Sequence, residues 1–139
     1  MRRAPQALGL LAALALATPG LAAGAAADPD VQSTITSQIE AFDQGDAVKA
    51  ESFASPAIQT MFPDPSGFFG MVKQSYAPLI HPRSTHFEPT VAAPDGTVQH
   101  VTIVAADGVV WTAVYSLQKI DGRWAISGCV LLKSPDSSA

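Results

Sequence analysis

The Asp121-Gly122 dipeptide does more than any other feature to limit what this chain can fold into. It lies between two runs, 109–120 and 123–132, rich in the Val, Ile, Trp and Tyr that suit pleated strands. Both central residues of a type I′ turn need φ > 0, which Gly takes freely and Asp tolerates, so the pair predicts a two-residue hairpin. Such a hairpin sets a register. With Ile120 facing Arg123, Leu117 lies across from Ile126, Tyr115 from Gly128, Ala113 from Val130 and Trp111 from Leu132. Side chains alternate along a strand, so these pairs share one strongly apolar face.

Asp107-Gly108, read as a second turn of the same kind, places Ala106 opposite Val109, Val104 by Trp111, Thr102 by Ala113 and His100 by Tyr115. His100, Tyr115 and Gly128 then form one row across three strands. Gly128 leaves a gap beside the Tyr115 ring, either as a packing device or as the floor of a ligand site. The other face carries Val101, Ile103, Val114, Cys129 and Leu131, with small polar residues between them. A solvated sheet face should alternate to charge. This one does not, so a second subunit is expected to cover it and the chain is expected to form a homodimer.

Upstream, cap-and-proline signatures recur. Asp28-Pro29 opens a helix in which Val31, Ile35, Ile39 and Phe42 share one face, and Gly45 ends it. Asp46 caps 47–54, Ser55-Pro56 opens a short turn through Ile58, Met61 and Phe62, and Asp64-Pro65 starts 66–76 with Phe68 or Phe69, Val72 and Tyr76 on one side. Residues 85–91 read as a lead-in strand with Phe87 inward, turning at Pro94-Asp95-Gly96. Helices too short to persist alone must dock on the sheet. Helices first and strands afterwards is the α+β order, with a curved antiparallel sheet of about four strands.

Composition bounds the function classes. Met1-Arg2-Arg3, the apolar run 8–17, the break at Pro19-Gly20 and Ala25-Ala26-Ala27 make an export signal over 1–27, so a periplasmic or secreted protein is expected, with no stable membrane anchor after cleavage. The expected organisation is a signal at 1–27, one domain at 28–133 and a disordered tail at 134–139. Removing the signal takes two of the eight basic residues and none of the twelve acidic ones, leaving six against twelve and a net charge of −6. No cluster of Lys or Arg remains for phosphates, so nucleic acid is not an expected partner. Cys129 is the one cysteine, which excludes an intrachain disulfide; a buried, inert thiol is the expectation.

Several stretches together resemble a known group: Ala41-Phe42 with Asp46, Ala54-Ser55-Pro56-Ala57-Ile58-Gln59 before Met61-Phe62, Phe69-Gly70-Met71-Val72, Tyr76-Ala77-Pro78, Trp111 with Tyr115, and the run from Asp121 to Cys129. In them the chain resembles an exported proteobacterial family with a domain of unknown function. More broadly it resembles the cone-shaped superfamily of nuclear transport factor 2, ketosteroid isomerase and the SnoaL-like cyclases. The resemblance implies helices closing the concave face of a bent sheet, often around a pocket, and dimers formed through the other face. It implies no single activity, since enzymes and non-catalytic binders share this architecture.

Isomerase-like members use a pocket carboxylate as base, and the register places none on the concave side. His100 assisted by Tyr115 is the enzymatic alternative. His81, Arg83 and His86 could gather at the mouth, but two histidines without a third ligand give a weak metal signal, and neither metal nor cofactor is expected. The leading expectation is a non-catalytic module whose pocket candidates are His100, Tyr115, Trp111 and Tyr76 and whose ligand is small and apolar. A purely structural dimerisation domain is the third reading.

Overall fold

The computed structural model describes residues 26–135. The expected signal lies outside them except for Ala26 and Ala27, as does the expected tail beyond Pro135. The described residues form α1 (Pro29–Asp43), α2 (Ala47–Ser52), α3 (Pro56–Met61), α4 (Pro65–Ser75), a 3₁₀ turn (Ala77–Leu79), and strands β1 (Ser84–Phe87), β2 (Val91–Ala93), β3 (Gly96–Val104), β4 (Val110–Ile120) and β5 (Arg123–Lys133). The fold is α+β, with N-terminal helices on one face of an open, five-stranded antiparallel sheet.

Each helix starts where a side-chain oxygen can take up free backbone N–H groups. The Asp28 carboxylate accepts from Asp30 and Val31, Asp46 from Lys49, Ser55 from Ile58 and Asp64 from Ser66. Gly45 ends α1 at φ 71°. The stripe Val31, Ile35, Ile39 and Phe42 is buried against the sheet residues Val101, Ile103, Ala113, Tyr115, Leu117 and Ile126. α1 packs on β5, and α2 packs on both α1 and α4.

The expected lead-in strand is divided. β1 and β2 both pair with β3 and are separated by Glu88-Pro89-Thr90, because proline has no N–H for the ladder. Gln99, fully buried, fills the break: its Nε2 donates to the Glu88 carbonyl while its Oε1 accepts from Thr90 Oγ1. Thr90 Oγ1 in turn accepts from the Asp28 N–H at 2.7 Å, tying the start of α1 to the sheet edge.

The first hairpin is as expected. Asp121 (φ 51°) and Gly122 (φ 80°) are both left-handed, and Ile120–Arg123 through Leu117–Ile126 pair in the predicted register. Past that point β5 contains a bulge at Ser127, whose Oγ donates to the Ser116 carbonyl at 3.1 Å, and the register moves by one. Ser116 now faces Gly128, Tyr115 faces Cys129, Ala113 faces Leu131 and Trp111 faces Lys133. An extra residue on one strand exchanges the faces of everything beyond it.

The second turn also differs from the expectation. At Asp107-Gly108 only Gly108 (φ 87°) is left-handed, and its N–H donates to the Ala105 carbonyl at 2.8 Å, giving a three-residue loop with a closing glycine. β3 therefore pairs Gln99 with Tyr115, Val101 with Ala113 and Ile103 with Trp111.

These two shifts correct the assignment of faces. Val101 and Ile103, expected on the outer face, are fully buried beneath the helices, and Cys129 and Leu131 also pack against the core. His100, expected beside Tyr115, pairs with Val114 on the outer face. Of the five residues expected outside, Val114 is there. Its neighbours are Val130 (57% exposed) and Leu132 (54%) on β5, which had been expected inside. Gly128 does not serve the Tyr115 ring either, since a Cβ added to it would touch nothing within 4 Å.

Candidate functional site

A cavity of ≈470 Å³ opens between the helices and the β4–β5 hairpin. Its walls come from Phe42 of α1, the α3 segment Ile58, Met61 and Phe62, and Phe68, Met71 and Val72 of α4; Tyr76, Tyr115 and the Ile126–Val130 stretch complete it. The helix sequence dictates this wall. Proline-started helices joined by short links turn their aromatic residues inward, where Phe42 stacks on Phe69 at 5.7 Å and Phe62 meets Phe68 edge-on at 5.9 Å. The bulge at Ser127 completes the opposite wall by bringing Cys129 round to the helix side. Among the described residues no Lys, Arg, His, Asp or Glu lines the cavity.

Most polar groups in the wall are already engaged. Gln38 Nε2 donates to the Ala50 carbonyl at 3.0 Å, the Tyr76 hydroxyl to the Cys129 carbonyl at 3.0 Å, and Ser127 Oγ to Ser116. The Tyr115 hydroxyl differs from these. It is fully buried and has no hydrogen-bond partner among the described residues. Burial, with the Cys129 thiol adding to it, holds this phenol well above its ordinary value, and burial alone pushes Cys129 up to about 12. Neither group is anionic near neutral pH, and the thiol lacks the cationic neighbours that would activate it.

The four expected pocket residues separate. Tyr115 and Tyr76 meet at the cavity. Trp111 lies on the same sheet face, half-buried against the core beside Ile103, but away from the cavity wall. His100 is on the other side of the sheet. The reading missed Cys129 and Gln38 as wall residues. A signal for the first was present in Ser127-Gly128, because a glycine inside a strand often marks a bulge.

The expected mouth residues do not gather. His81 Nδ1 lies 3.7 Å from Asp43, His86 Nε2 lies 3.5 Å from Glu88, and Arg83 Nε donates to the Ala106 carbonyl at 2.9 Å. Among the described residues no three His, Cys, Asp or Glu side chains converge as metal ligands. One carboxyl group is buried outside the cavity: Glu51 on α2 is 6% exposed, its Oε2 has no partner among the described residues, and burial, then the nearby Asp64, raises its pKa. Among the described residues no helix is long and apolar enough to cross a membrane.

Fold and site together define a class: an α+β domain with an open, aromatic-walled cavity between its helical layer and antiparallel sheet, a buried phenol in the wall and, among the described residues, no charged side chain lining it. Residues 24–139 match a domain of unknown function (DUF4864), and the chain belongs to that family. No curated protein and no solved structure gives a match.

Proposed function

We propose that this domain is an exported binding module that holds a small, uncharged, apolar molecule in the cavity between helices and sheet. The observation that carries the reading is a ≈470 Å³ space walled by aromatic and methionine side chains with, among the described residues, no charged group in its lining. Ligand sites are typically apolar clefts of about 300–1,000 Å³ with a few fixed polar groups. Methionines suit such a wall because they repack around different shapes. Helices followed by an antiparallel sheet are also the element order of the cone-shaped nuclear transport factor 2-like superfamily, to which we assign the domain on its resemblance. Export rests on the charged, apolar and small-residue pattern of residues 1–27. The enzymatic alternative needed His100 and Tyr115 in one row, and the sheet lies between them.

Native mass spectrometry of protein purified without denaturation from its own host tests the reading. A retained small molecule, lost on refolding from urea, is the expected result. A bare polypeptide mass, with no uptake of the neutral dye N-phenyl-1-naphthylamine, would overturn it.

A second reading concerns the outer sheet face, where Val130, Leu132 and Val91 are each more than half exposed and Val114 and His100 lie between them. A second copy of this chain is the proposed cover. His86 with Glu88 and Arg123 lie at the ends of this face, and in an acidic protein the uncharged stretch between them, around Val114 and Val130, is where two copies can approach with least repulsion. Light scattering should give a dimer for the wild type and a monomer for Val130→Lys; a monomeric wild type refutes it.

A further inference from the structure

We infer that the molecule held in this cavity carries one hydrogen-bond acceptor on a mostly hydrocarbon body and no charge, as a ketone, ester or ether does, and that the Tyr115 hydroxyl is the donor it meets. This inference rests on the binding reading above and narrows it to a chemical class.

Two observations carry it. The first is the orphan hydroxyl. Buried tyrosine hydroxyls normally find a partner. The other polar side chains of the wall do so within the protein, Tyr76 on the Cys129 carbonyl and Gln38 on that of Ala50. Tyr115 does not, although Cys129 sits directly across the β4–β5 pair from it. A thiol is a weak acceptor and makes no bond to it here. Phenylalanine would fill nearly the same volume without the oxygen, so the hydroxyl adds little to the packing of the empty protein.

The second observation is that, among the described residues, no cationic side chain lines the cavity. A carboxylate or phosphate brought into this space would lose its hydration without gaining a counter-charge. The upward shifts of Tyr115 and Cys129 come from the same low-polarity surroundings. A plain hydrocarbon would enter but leave the phenol unpaired. A site with a buried donor discriminates strongly against analogues that lack the matching group. The hydroxyl is shut off from water, so a ligand atom reaches it only as the wall yields, and Met61 and Met71 supply flexible side chains in that wall.

The test is displacement of N-phenyl-1-naphthylamine from the full-length protein at pH 8 by three ten-carbon competitors: 2-decanone, decane and decanoate. Wild type is expected to prefer 2-decanone over decane by about tenfold, one net hydrogen bond in a dry site, and to take decanoate least. In Tyr115→Phe, with an unchanged circular dichroism spectrum, the dye should still bind and the ketone's advantage should vanish. Equal competition by ketone and decane in wild type, a preference for decanoate, or a ketone advantage that survives in Tyr115→Phe would each overturn the inference while leaving the binding reading standing. If neither the dye nor any competitor binds wild type, the binding reading itself fails. The selectivity of wild type decides the matter even if the variant does not fold.

Discussion

Replacing Tyr115 with Phe in the empty protein gives a result whose sign depends on the state of one oxygen atom. In most proteins the substitution removes a satisfied hydrogen bond and costs about 1 kcal/mol. Here the hydroxyl is fully buried without a partner among the described residues. It forfeits its hydration on folding, a penalty of about 1–3 kcal/mol for an unsatisfied polar group. Deleting the oxygen leaves a void smaller than a methyl group, which offsets less than about 1 kcal/mol of that gain. The empty Phe variant should therefore be more stable by about 1 kcal/mol, with Tm higher by roughly 4 °C for a domain of this size. Both proteins are refolded from urea to strip any ligand, and urea unfolding at pH 7 gives the difference by linear extrapolation. An unchanged m-value shows that the unfolded reference is the same. A loss of 1 kcal/mol or more in the Phe variant would refute the reasoning, because it would mean that the hydroxyl has a partner in the folded state.

The remaining predictions concern two buried acids and one glycine. Cys129 stays protonated in the folded protein up to about 12, against an ordinary value of 9.0. Above pH 9 the unfolded chain ionises its thiol while the folded chain does not, so stability falls as pH rises, by about 1.4 kcal/mol per pH unit from this group. Cys129→Val should lack that slope between pH 9 and 10 in urea titrations; identical slopes would mean an accessible thiol. Glu51 has a folded pKa above its usual 4.5, so the stability linked to its protonated form is complete below that value and is lost as pH rises through the folded one. Glu51→Gln should thus melt higher than wild type at pH 7, with the gap closing toward pH 4, and a lower melting temperature at pH 7 would show a partnered carboxylate. Gly96 has φ 155°, and a Cβ there would overlap the Leu117 carbonyl oxygen. Gly96→Ala should cost about 2 kcal/mol or more, and a loss under about 0.5 kcal/mol in urea unfolding would rule out that approach.

The helix caps were legible in the sequence, whereas strand register was legible only close to the Asp121-Gly122 turn. Asp28-Pro29, Asp46, Ser55-Pro56 and Asp64-Pro65 each start a helix at the expected residue, because a cap acts over three or four positions and needs no tertiary help. Asp121-Gly122 forms its expected turn for the same reason. Asp107-Gly108 does not, since the same dipeptide serves either a two-residue loop or the end of a three-residue one, depending on whether Asp is left-handed. That difference of one residue turned β3 over. The strand itself held the correction: Val101 and Ile103 alternate with His100 and Thr102, and the β-branched apolar pair belongs inside. Within the site, Tyr76 and Tyr115 were legible as inward aromatics, while Cys129 was hidden by the bulge at Ser127. The Gln99 plug could not be read at all, because its need arises only when Pro89 interrupts a neighbouring strand.

The packing of α1 on β5 joins the beginning of the domain to its end. A chain emerging N-terminus first displays the stripe Val31, Ile35, Ile39 and Phe42 long before Arg123 to Lys133 exist to receive it. Helix nucleation alone cannot hold so short a segment, and contacts this distant in sequence form late and slowly. No N-terminal fragment is therefore expected to be stable on its own. Truncation anywhere before β5 should yield an aggregation-prone chain rather than a smaller domain.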